Sequence, residues 1–354
     1  MKRLSILLGT GAVLVASCKA ETAPAALAAA PTSPQATNAS PLDVAIAKWR
    51  QAPALSGRYR AVYDTAAMLG SREISADQGA LLQIHEGTFA KQGNDRFRAT
   101  GSQRFEYPGR RDSVPTPVAE VDLLFSARTL TAVNKASGRV PPTAQVIRLG
   151  PALFEDGQPF KLKTVLSGSA FGQGDVATTV EAFTSFVRFA RTETATEDSE
   201  TLTAHVGRVD LDRAIDRMVA ERHVSLGMLL QLLGQAPLDQ SLLDLQLKTI
   251  VGSLLAQEQV RLLVDKDGML RGWDVGPTSG TWAASMRLSK LEPKVSDDAF
   301  VLAPALEQQV VDQTPALLAQ TESLRKSFDD EQTVARARTM LREALERART
   351  GTHP

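Results

Sequence analysis

Cysteine occurs once in these 354 residues and histidine four times, at positions 85, 205, 223 and 353. A single thiol leaves no intrachain disulfide and no thiolate metal site, so the fold must rest on a packed core. No His-x-x-x-His or His-Glu-x-x-His spacing is present to face a metal from one helix. Asp265-Lys266-Asp267-Gly268 opens like a calcium loop, but Met269 takes the fifth position and the further acidic ligands do not follow. Neither sign of charge dominates, with 40 Lys and Arg against 40 Asp and Glu, so there is no electrostatic footprint for nucleic acid. Catalytic signatures are missing too. "SGSAFGQGD" lacks the Lys-Ser/Thr ending of a phosphate loop, Ser167 and Ser169 lie outside a Gly-x-Ser-x-Gly elbow, and Asp297-Asp298 has the look of a solvated acidic pair. The expectation is a protein without metal or cofactor and without enzymatic activity. What is present is 43% apolar composition over a long chain, enough for a sizeable core.

The lone cysteine stands in "LVASCKA", directly after an apolar run. Lys2 and Arg3 precede Leu4 to Ala16, a stretch too short to cross a bilayer, which is the layout of a secretory signal peptide over residues 1–17. Leu14-Val15-Ala16-Ser17-Cys18 resembles a bacterial lipobox, which implies that Cys18 is acylated and becomes the first mature residue. The alternative is an ordinary signal peptide cleaved after Ala20 or Ala23. Acyl chains would anchor the protein in a membrane, each buried methylene contributing about 0.8 kcal/mol. Lys19, rather than Asp, after the cysteine points to the outer membrane and a periplasm-facing body. Loss of Lys2 and Arg3 leaves a mature net charge near −2. Residues 18–41 are rich in Ala, Pro, Ser and Thr and form a disordered tether, with a root-mean-square reach of roughly 26 Å.

Beyond the tether, "PLDVAIAKWRQA" predicts a helix with Asp43 as cap and Val44, Ala47 and Trp49 on the buried side, stopped by Pro53. From Leu55 the period becomes two. "GRYRAVYD" sets Tyr59, Ala61 and Tyr63 against Arg58 and Arg60, and the same alternation returns in "LLQIHEGTF", "RFRAT" and "VDLLFSARTLTAVN". "VRLLVDKDGMLRGWDV" predicts a hairpin with Asp267-Gly268 in its turn, and "TWAASMRLSKL" places Trp282, Ala284, Met286 and Leu288 on one face. Between these strand groups, residues 176–257 read as a helical insertion, and 305–354 as a C-terminal helical extension. The order predicts an α+β fold: a curved antiparallel sheet forming an open half-barrel over 42–304, covered by helices.

Four stretches carry a resemblance: "VAIAKWRQAPALSGRYRAVYD", "EGTFAKQGNDRFRAT", "LLFSARTLTAVN" and "LVDKDGMLRGWDVGPTSGTWAASMRLSKLEPKVSDDAFVLAP". Together they resemble the LolA/LolB-like lipoprotein-localisation superfamily of periplasmic carriers. The resemblance covers roughly residues 43 to 135 and 258 to 304. It implies a lipid or other hydrophobic ligand held between a curved sheet and covering helices. The soluble carriers of that family have a functional Arg after the Lys that precedes the turn between the second and third strands. This chain reads Lys91-Gln92-Gly93-Asn94 there, so that role does not transfer.

A cavity for acyl chains needs apolar inward-facing strand residues. Tyr59, Tyr63, Phe97, Phe125, Trp282, Met286 and Leu288 are the candidates, and the competing reading is that they fill an ordinary core. In the C-terminal extension, Val334, Ala337, Met340, Leu341, Ala344 and Leu345 form a helical stripe beside several arginines. That stripe either docks an envelope protein or an anionic surface, or packs on its own domain. Two functions stand at this point: a lipid-binding carrier, and a structural or sensory scaffold for another protein.

Overall fold

The computed structural model describes residues 41–64, 82–93, 96–106, 119–126, 128–136, 144–153, 187–220, 224–235, 237–278 and 282–350. Residues 1–40, with the expected signal peptide, Cys18 and all of the expected tether but Pro41, lie outside the described residues. The first element is helix α1 (Pro41–Gln51). It starts earlier than the capping reading of Asp43 predicts, because proline suits the first turn of a helix, where no N–H partner is required. The rotation buries Ala45, Ile46 and Trp49 and leaves Val44 exposed.

Twelve strands then form one open sheet: β1 (Ala54–Asp64), β2 (Leu82–Gln92), β3 (Arg96–Glu106), β4 (Ala119–Ser126), β5 (Thr129–Ala136), β6 (Ala144–Leu149), β7 (Val187–Glu197), β8 (Glu200–Val209), β9 (Gln259–Val264), β10 (Leu270–Gly276), β11 (Ala284–Glu292) and β12 (Val310–Asp312). Their spatial order is β12-β6-β5-β4-β3-β2-β1-β11-β10-β9-β8-β7. All pairings are antiparallel except β12 with β6. The predicted α+β class and open sheet are what the protein has. Gly268 takes φ +76° in the β9–β10 turn, the conformation that made Asp267-Gly268 a hairpin signal.

The 176–257 stretch differs from its helical reading. Residues 187–209 are the hairpin β7–β8, turning through Asp198 and Ser199 at φ 49° and 68°. Positive φ at both central residues is the primed turn whose twist matches antiparallel strands. Among the described residues of this stretch the helices are α2 (Leu211–Ala220), α3 (Val224–Leu233) and α4 (Gln240–Leu255), the last capped by Asp239 through the Leu242 N–H.

After β11 the chain returns across the sheet, through the short helix α5 (Pro304–Glu307) and β12, into α6 (Thr314–Lys326) and α7 (Glu331–Thr350). The stripe of α7 is spent on its own domain. Ala337, Leu341 and Leu345 join the main core cluster with α2, α3 and α4, while Arg342 pairs with Asp216 at 2.9 Å.

Candidate functional site

Strand alternation gives the sheet two chemically distinct faces. The apolar face carries Leu55, Tyr59, Ala61 and Tyr63 of β1; the polar face carries Arg58 and Arg60. Register then assigns every neighbour. Tyr59 stands opposite Leu288 on one side and Gly87 on the other, and Gly87 faces Gly101. A Cβ on Gly101 would lie 2.7 Å from the Tyr59 hydroxyl and 2.2 Å from the Glu86 carbonyl oxygen. Glycine here lets the backbones close up while the tyrosine ring covers them. Burial raises the pKa of both Tyr59 and Tyr63, and the charges of Asp122 and Glu86 push Tyr59 further.

Beside this pair is a small neutral polar cluster. The Tyr63 ring meets His85 edge-on at 5.9 Å, and the Gln83 amide lies 2.8 Å from His85 Nε2, which accepts its N–H in the neutral ring. His85 is 1% exposed, and burial lowers its pKa to about 4. The Tyr63 hydroxyl is buried and has no hydrogen-bond partner among the described residues.

The apolar face is covered unevenly. Over β1 and β8–β11, helices α1 to α4 and α7 form one continuous core with Trp273, Leu262 and Met286. Over β3–β6 the face is a row of half-buried apolar side chains: Phe97 and Phe105, then Leu123 and Phe125, then Leu130 and Ala132. Helix α6 joins the two regions. Leu317 and Leu318 sit on Leu130, Ile147 and Leu149, while Leu324 belongs to the main core, where it lies beside Gly227 of α3. Thirteen helical residues span about 20 Å, so α6 runs as a strap from the β5–β6 end of the row to the main core.

The candidate residues divide accordingly. Tyr59, Tyr63, Met286 and Leu288 are at most 5% exposed and are core. Phe97 and Phe125 are directly opposed and half-buried, and Phe97 stacks on Phe89 at 6.4 Å at the border of the main core. Trp282 is separated from all of them. It precedes β11, and the Arg261 guanidinium lies over its ring at 5.0 Å. Arg261 belongs to the polar face, so Trp282 breaks the alternation that grouped it with Met286. Phe105, Leu123 and Leu130 share this face without having been sequence candidates; in "VDLLFS" the apolar run Leu123-Leu124-Phe125 hides which members face inward.

The polar face holds a buried ion network. Asp274 is fully buried and accepts from Arg261 Nε and an Arg287 terminal nitrogen, both at 2.7 Å. Glu197 of β7 accepts from Arg287 at 2.9 Å, tying the β7–β8 hairpin to β9–β11. Further along, Arg98 forks onto Asp122 at 2.9 and 2.7 Å and donates to the carbonyls of Ala299 and Val301. That holds the returning segment down, with Phe300 and Leu302 packed on Leu124, Val133 and Val146. Among the described residues no three His, Cys, Asp or Glu side chains converge as a metal centre requires, and no helix is long and apolar enough to cross a membrane.

No protein-family model and no curated protein matches the chain. Among solved structures it is similar to an uncharacterized conserved protein from Thermus thermophilus, at 7% identity and TM-score 0.33, over 77% of this chain and 96% of that one. It is similar to a chain of the Pseudomonas aeruginosa MucA/MucB complex, at 12% identity and TM-score 0.29, over 75% of this chain and 60% of that one. A beta-barrel-like protein of domain of unknown function DUF1849 from Brucella abortus is similar at 10% identity and TM-score 0.26, over 68% of this chain and 97% of that one. These are distant structural similarities.

Proposed function

We propose that this is a cell-envelope lipoprotein, anchored in the outer membrane through acyl chains on Cys18 and facing the periplasm, that holds a lipid or another hydrophobic molecule without converting it. The observation that carries the reading is the trough. Half-buried Phe97, Phe105, Leu123, Phe125 and Leu130 form an apolar row across β3–β5, flanked by the main core at Phe97 and by α6 at Leu130, while over β1 and β8–β11 the same face is filled by helices. An apolar channel with a neutral hydrogen-bonding cluster beside it suits acyl chains with an uncharged polar end. The family resemblance of the strand stretches and the lipobox-like "LVASC" point the same way.

The test is native mass spectrometry with lipid extraction on the full chain carrying Cys18→Ser, purified from a bacterial periplasm without detergent. A bound lipid of defined mass is expected, and it should be lost in Leu123→Glu/Phe125→Glu with the circular dichroism spectrum retained. An empty, well-folded protein would overturn the reading. It would favour the second one, a protein-binding scaffold, for which Met228 of α3 and Leu242 and Leu245 of α4 supply an apolar surface, 48%, 48% and 61% exposed. The Gln246 amide donates to the Ser225 carbonyl at 3.2 Å and sets those two helix faces side by side.

A further inference from the structure

Strand β7 ends the sheet, and among the described residues no strand pairs with its outer edge. It is eleven residues long, and Arg188 and Ala190 to Thr194 are all exposed although they lie within a regular strand. A long edge strand presents a row of unpaired N–H and C=O groups, a template for another strand. Thr192, Thr194 and Thr196 give it high strand propensity without an apolar face of its own.

Its charges are segregated along its length. Arg188 and Arg191 occupy the first half, Glu193 and Glu197 the second. Parallel pairing of two such strands sets like charges together, whereas antiparallel pairing sets the basic half of each against the acidic half of the other. Centred on Thr192, the antiparallel register places Arg191 opposite Glu193 twice, on the polar face. Arg191 and Glu193 already meet within one strand at 2.6 Å, with side chains 61% and 43% exposed, so both can reach across. The register shift in the β7–β8 ladder falls between Phe189 and Arg191 and leaves residues 191–197 regular.

We infer that the β7 edge is a self-association surface: two copies of the chain join antiparallel about a two-fold axis at Thr192, continuing the sheet from one protomer into its partner. An isologous contact of this kind closes on itself and does not propagate into a fibre. It rests on residues remote from the lipid trough and is independent of that reading.

The experiment is sedimentation equilibrium of the full chain carrying Cys18→Ser, which removes its only thiol. A dimer is expected at micromolar concentration. Arg191→Glu alone and Glu193→Arg alone, each placing like charges opposite one another, should each weaken association at least tenfold. Combining them should restore it, since the swap recreates both cross-strand pairs. Thr192→Cys in the same background should crosslink to a covalent dimer on mild oxidation. Unchanged circular dichroism and melting temperature across the series would show that the fold is intact. A monomer at all concentrations would overturn the inference, as would a dimer indifferent to both single reversals.

Discussion

The two regions of this sheet bury their surfaces in opposite ways. Over β1 and β8–β11, helices α1 to α4 and α7 settle on the apolar face and fill it, and the other face is closed by the Asp274 ion network. Over β2–β6 the tight packing is on the polar face, where Phe300 and Leu302 of the returning segment cover Leu124, Val133 and Val146. Over β5–β6 the apolar face is packed, among the described residues, by α6 on Leu130, Ile147 and Leu149. One sheet therefore combines a side-chain-filled platform with a region whose apolar side chains are half-buried.

The comparison is tested most directly by truncating one apolar residue in each region. Trp273 of β10 is 1% exposed, and Trp273→Ala should cost about 4 kcal/mol. Leu123→Ala in the trough should cost about 1 kcal/mol, because its side chain is only half-buried. Urea unfolding of both variants checks the contrast; equal losses would mean that the trough is as densely packed as the platform. On the polar face of the platform, Asp274→Asn leaves Arg261 and Arg287 with Glu197, at 3.7 and 2.9 Å, as their remaining shared carboxylate. Loss of about 3 kcal/mol is expected, read by the same measurement.

His85 lies between the two regions and makes the comparison pH-dependent. Its pKa falls from 6.5 in the open chain to about 4 in the fold, because burial disfavours the imidazolium. The unfolded chain therefore takes up the proton first as pH drops. Stability is complete above pH 6.5 and declines as pH falls from there to about 4, by up to about 3 kcal/mol. His85→Gln should remove this window. Chemical denaturation of both proteins at pH 7.5 and 4.5 gives the answer, and a difference between them that does not vary with pH would show that His85 accepts its proton in the fold.

Much of the platform was legible in the sequence. The Asp267-Gly268 turn, the alternation of Tyr59, Ala61 and Tyr63, and the stripe of Ala337, Leu341 and Leu345 each rest on local chemistry and periodicity. The β7–β8 hairpin was not, because the middle of β7, Ala190 to Thr194, is mostly polar and is exposed on both faces. Period-two hydrophobicity had nothing to report, while Phe183, Phe186 and Val187 fall at helical spacing. Phe183 and Phe186 lie outside the described residues; Val187 opens a strand. Whether aromatic candidates line a cavity or fill a core was equally invisible. Tyr59 and Phe125 both satisfy the alternation, and only the tertiary packing buries one in the main core and leaves the other half-buried.

The returning segment was the least legible feature, since its docking depends on groups some two hundred residues apart. Arg98 donates to the carbonyls of Ala299 and Val301 at 3.0 and 2.9 Å while forked onto Asp122, whose hydrogen bonds and charge raise the arginine pKa further. A bidentate, partly buried pair of this geometry outperforms an exposed ion pair. Arg98→Ala should therefore cost about 2 kcal/mol overall. The loss should be local before it is global, because the main core contains none of these groups. Hydrogen exchange is the discriminating measurement. In Arg98→Ala the amides of 299–302 should exchange at least tenfold faster, while those of β9 and β10 keep the protection set by global unfolding. If both regions accelerate together, the segment and the platform unfold as one unit.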